Sequence, residues 1–145
     1  MTNIVQVKDI QGETVAVSTI GPNTTPTAAT ASSTAVAVLT GLAPAGSPTV
    51  YTTYKVNSLL IANAGSADAT VSVQFNVNDT SAPSDTRTIF VNAIVIPAGA
   101  TLDVLSGPVY VNASTTTLIE KIEVFATGAD VNALVSYEAI KSETA

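Results

Sequence analysis

Residues 70–77 read Thr-Val-Ser-Val-Gln-Phe-Asn-Val, and their alternation is without a fault. Val71, Val73, Phe75 and Val77 fall on one side of an extended chain, and Ser72, Gln74 and Asn76 on the other. A period of two marks a strand with one face in a core and the other in water or against a partner. On its N-terminal side, Asn63-Ala64-Gly65-Ser66-Ala67-Asp68 is a turn by composition, because Gly and Asn supply positive-φ conformations. Before it, Val50 to Val56 is rich in β-branched and aromatic residues. It runs through Asn57-Ser58 into the continuous apolar segment Leu59-Leu60-Ile61-Ala62, suited to a buried strand.

On the C-terminal side the pattern repeats. A polar loop over 78–85 leads into a long strand over 86–96, whose apolar run Asn92 interrupts, so a bulge or kink is expected there. Pro97-Ala98-Gly99-Ala100 and Ser106-Gly107-Pro108 turn the chain into and out of 101–105, and a short strand follows at 109–111. The last strands are 118–126, with its cleaner apolar face at Ile122, Val124 and Ala126, and 131–140. Strands so closely spaced, with no helical period, predict an all-β, antiparallel β-sandwich of jelly-roll type with about seven to eight strands. The absence of βαβ alternation removes the common nucleotide-binding folds.

The first third reads differently. Strands are expected at 13–20, at 34–39 and, short, at 4–7. Between Gly21 and Pro48 the composition shifts to Ala, Thr, Ser, Gly and Pro, which fits a linker or an arm that orders on a neighbouring subunit. The expected division is therefore an extended N-terminal region, 1–48, and a sandwich, 49–145.

Composition narrows the function. Of the 145 residues only 11% are charged and 46% are hydrophobic, against a usual charged share of roughly a quarter. The surface this implies is neutral, rich in Thr, Ser and Asn, and poorly protected against association. The net charge is −6 and the five basic residues stand singly. A nucleic-acid partner needs clustered Lys and Arg, and an anionic membrane would repel the chain, so neither is expected. Residues 1–10 lack the basic start and apolar run of a secretory signal, which points to synthesis in a cytoplasm.

The inventory for chemistry is thin. There is no His and no Cys, so the commonest acids, bases and nucleophiles are missing and disulfides are impossible. Glu120 and Glu123 are three apart on a strand and point to opposite faces. Asp79 and Asp85 bracket a loop that lacks the spacing of a known calcium site. No enzyme, cofactor or metal is expected. The candidate contact residues are Tyr51 and Tyr54, of opposite parity so that at most one faces the core, with Asp79, Asp85 and Phe125.

The succession LLIANAGSADATVSVQF (59–75), TIFVNAIVIPAGATLDVLSGPVYV (88–111) and IEKIEVFATGADVNALVSYEAI (119–140) resembles a group of small virion structural proteins of tailed bacteriophages. The shared elements are the strand–Asn–small-residue turn–alternating strand opening, the Ile96–Leu102 corner and the closing strand at 135–140. The resemblance covers residues 50–141. It implies a sandwich on the particle surface, often trimeric, in contact with the major capsid protein or other virion proteins. Capsid decoration, neck, fibre and tail adaptor proteins share this layout. The chain lacks a fibre shaft's repeats and a connector's charged lumen, so the expectation is a decoration (cement) protein of the virion. A host-receptor or carbohydrate-binding module is the alternative from another class, although the absence of Trp disfavours it.

Overall fold

The computed structural model describes residues 5–17, 36–47, 49–82, 84–128 and 130–144. Nine strands account for most of them: β1 (Val5–Val17), β2 (Val36–Thr40), β3 (Val50–Asn63), β4 (Ala69–Asp79), β5 (Ser84–Ile96), β6 (Thr101–Asp103), β7 (Val109–Val111), β8 (Leu118–Ala126) and β9 (Val131–Thr144). They form two antiparallel sheets. Sheet I has the order β1-β9-β3-β6, with β7 on the same edge of β3 as β6; sheet II has the order β2-β8-β4-β5. The protein is an antiparallel β-sandwich.

The pairings nest. β4 pairs with β5, β3 with β6 and β7, β2 with β8, and β1 with β9. Fold the chain in half at the β4–β5 loop, and each strand of the first half lies beside its counterpart in the second. β3 then joins β9, and β4 joins β8, to complete the two sheets. Counting β6 and β7 as one interrupted strand gives eight strands in two four-stranded sheets, the jelly-roll arrangement.

Among the described residues the expected strands are present, and several are longer than their patterns. β1 is continuous over the gap between the two N-terminal segments, because pairing with β9 carries it through a bulge at Lys8. β1 and β2 are integral strands of the two sheets, so these parts of 1–48 belong to the sandwich. Residues 18–35 and 48, which include most of the expected arm, lie outside the described residues.

β3 shows how one residue brings two apolar groups into one core. Tyr54 and Val56 point inward; Asn57 is left over between the Val56–Tyr137 and Ser58–Ser136 pairs; then Leu59 and Ile61 point inward. The bulge switches parity, which allows VYTTYKVNSLLIAN to place both apolar groups on one face. Val56, Leu59 and Ile61 of sheet I meet Val71, Val73, Ile122 and Val124 of sheet II, all fully buried. Each such side chain contributes about 1.5–3 kcal/mol. The shift expected at Asn92 is also present: the β4–β5 register breaks between Val71–Ile94 and Val73–Val91, and Ala93 takes φ 50°. Its N–H donates to the Ser72 hydroxyl at 2.9 Å.

The loops are held by single side chains. Asn63, buried at the end of β3, donates to the carbonyls of Ala67 and Ile96 and accepts from Gly65 N–H. At the predicted corner, Ala100 N–H donates to Pro97 carbonyl across Gly99, whose φ of 74° suits glycine.

Candidate contact surfaces

A sandwich has two outward faces, and alternation predicts both to be polar. Here they differ. The outward face of sheet I is laid out in rows by its registers. Val7, Ser142 and Tyr51 form one end row, followed by Ile10, Ile140 and Thr53. The middle row is Gly12, Glu138, Lys55 and Tyr110. Thr14, Ser136 and Ser58 come next, and Leu134 with Leu60 lie at the far end. Val7 (63% exposed), Ile10 (59%), Tyr110 (49%), Tyr51 (39%) and Leu134 (36%) are half of the large exposed hydrophobic residues among those described. Lys55 Nζ lies 3.4 Å from Glu138 Oε2 in the middle row. A second carboxylate, Asp103, sits at the far edge and is bonded to the Ser58 hydroxyl and Leu59 N–H.

The outward face of sheet II is polar in sequence yet buried. Ser72, Gln74, Asn76 and Phe125 are 1–2% exposed and Glu123 is 8% exposed. The Glu123 carboxylate accepts one N–H from Gln74 and one from Asn76, the latter at 3.1 Å. Next to them Asp85 accepts from Asn78 and from the Arg87 guanidinium. Gln74 Oε1, Asn76 Oδ1 and Arg87 Nε have no hydrogen-bond partner.

These facts locate the candidate residues. Tyr51 faces outward from sheet I and is exposed. Tyr54, the other candidate contact residue, faces inward, edge to face with Tyr137 at a ring separation of 4.7 Å, so Tyr51 is the exposed member of the pair. Tyr137 donates to Glu13 Oε2 at 2.8 Å. Burial first, then Glu13, pushes the Tyr137 hydroxyl up to about 12. Burial and the Glu13 charge also raise Tyr54. Asp79 accepts the N–H and hydroxyl of Ser81, which lower its carboxyl from the usual value. Asp79 and Asp85 are thus engaged separately. Phe125 is closed off beside the Glu123 network. Sequence reasoning missed Ile10, Tyr110 and Leu134, whose common face exists only once β1, β9, β3 and β7 are side by side.

An open cleft of about 250 Å³ lies between the β3–β4 loop and the β8–β9 turn, lined by Asn63, Gly65, Asp68, Thr127, Gly128 and Asp130 among others. The Asn63 amide is fully used within the loop, and the cleft's two carboxylates face no side-chain nucleophile stronger than a hydroxyl. Among the described residues no group of three or more acidic side chains is placed to hold a metal ion, and no helix is long and apolar enough to cross a membrane. No protein-family model, curated protein or solved structure matches the chain.

Proposed function

We propose that the chain is a structural protein of a tailed-phage particle that acts by contact, as a decoration protein bridging capsid subunits on the shell. The observation that carries this reading is the outward face of sheet I. It presents aromatic and aliphatic side chains with almost no net charge on a rigid jelly-roll scaffold. Exposed apolar patches of this kind mark protein contact sites. The phage-like succession of strands and corners supports the choice of particle, and the low charge suits a surface that spends its working life covered. Mechanism in this reading is burial alone: whatever binds the assembled shell more tightly than the disassembled subunits stabilises the shell by mass action.

The test is a cryo-electron microscopy map of the phage particle that carries this chain. Sandwich-shaped density on the outside of the capsid is the expected result. Density confined to the neck or tail would move the placement, and absence from the particle would overturn the reading.

A further inference from the structure

We propose that the outward face of sheet I is a self-association surface, on which a second copy of this chain packs face to face about a two-fold axis. The axis runs along the strands between β9 and β3. The inference concerns the free protein, in which a second copy covers the face that the shell would cover on the particle, and stands whether or not the phage placement holds.

Three observations support this occupant. The first is area. Four strands wide and about thirteen residues long, the face measures on the order of 800 Å², which is about what each partner contributes to a standard-size interface. The second is charge. The protein carries −6 overall, so two copies repel almost wherever they meet, but the middle row of this face holds one Lys and one Glu on neighbouring strands. A two-fold axis between those strands sets Lys55 over the partner's Glu138 and Glu138 over the partner's Lys55. Turning the axis across the strands would set Lys55 over Lys55, so charge selects the direction.

The third is shape. The same axis lays β7 over the partner's β1, because these are the two edge strands. It brings Tyr110, 49% exposed, over the partner's Gly12, which pairs in the same row and has open space where a Cβ would stand. Toward one end Ile140 meets the partner's Thr53, and toward the other Leu60 meets the partner's Leu134. Aligned packing of two sheets about 10 Å apart is an ordinary sheet-on-sheet geometry. A two-fold contact uses one self-complementary patch, whereas a three-fold ring needs two different patches per chain. Half of the large exposed hydrophobic residues described gather on this one face.

The experiment is a mass measurement in solution by light scattering or sedimentation, with circular dichroism to check folding. The full chain is expected at twice its 14.6 kDa mass. K55E and E138K each place like charges together twice across the axis, and each is expected to weaken association roughly tenfold or more. Mixed in equal amounts, the two variants are expected to restore the dimer, because the K55E copy presents two carboxylates to the two ammonium groups of the E138K copy. I10K, at a residue 59% exposed, is expected to give a folded monomer that mixing does not rescue. A full chain that runs as one or three copies would overturn the proposal. So would dimers that persist in K55E and E138K, or variants whose mixture stays monomeric.

Discussion

The outward faces of the two sheets are built from the same alphabet and end in opposite states. Sheet II turns Ser72, Gln74, Asn76 and Glu123 outward and buries them; sheet I turns Val7, Ile10, Tyr51 and Tyr110 outward and leaves them exposed. Alternation in a strand therefore reports which side chains share a face, and burial depends on what lies above that face. On sheet II the Gln74 and Asn76 amide N–H groups bond to the Glu123 carboxylate, as burial favours, while their amide oxygens have no partner. On sheet I the Lys55–Glu138 ion pair is part-exposed, and Val7, Ile10, Tyr51 and Tyr110 are apolar groups open to a partner.

The comparison can be broken by exchange of equivalent losses on the two faces. Phe125→Ala removes a ring that is 1% exposed and is expected to cost about 3–5 kcal/mol in a urea titration. Tyr110→Ala on the other sheet is expected to cost the protomer no more than about 1 kcal/mol. Equal costs would mean that the two faces are equally covered.

Carboxylates give the next contrast. Glu123→Ala leaves the buried amides of Gln74 and Asn76 without their acceptor, a loss of about 3 kcal/mol. Glu138→Ala opens a part-exposed ion pair and should change stability of the protomer by less than about 0.5 kcal/mol. Urea midpoints of the two variants, measured side by side, decide this.

Between the faces lies the Tyr54–Tyr137–Glu13 group, and its signature is pH-dependent. Tyr137 holds its proton to about 12 in the folded chain against 10.0 for an unperturbed tyrosine. Between these values the unfolded chain has lost the proton and the folded chain has kept it, so stability falls as pH rises from about 10 to 12. Tyr137→Phe should cost about 1 kcal/mol near neutral pH and flatten that part of the alkaline slope relative to the parent. An unchanged slope would remove Tyr137 from the account.

The smallest effect is expected at the sheet II edge. Ala93 pays for its left-handed conformation (φ 50°) at the β5 bulge, and Ala93→Gly exchanges that strain for glycine's greater entropy loss. The balance is a stabilisation of up to about 1 kcal/mol, read as a small rise in thermal midpoint. A clear destabilisation would show that the bulge is not strained.

Much of this fold is legible before any coordinates. Val71 and Val73 point inward as their alternation requires, the chain turns at Gly99, and Asn92 sits where the β5 register breaks. Less was legible where a local pattern is overridden. Lys8 and Asp9 interrupt β1, yet β9 pairs along it from Val5 to Val17 because a bulge absorbs the interruption. The candidate surface was only partly visible. Tyr51 and Tyr54 could be assigned to opposite faces, but parity alone does not say which is inside.

By itself, then, the sequence determined that the chain is all-β, where most strands and turns fall, which side chains share a face, and that His and Cys chemistry is absent. These follow from local sterics and the two-residue period. Tertiary structure alone decided the nested order of the strands, the inward turn of Tyr54, the burial of Glu123 and the gathering of Ile10, Tyr51 and Tyr110 on one face. The physical reason is that pairing is non-local. A strand's sequence sets its pleat, but the partner beside it and the layer above it come from residues up to the whole chain away.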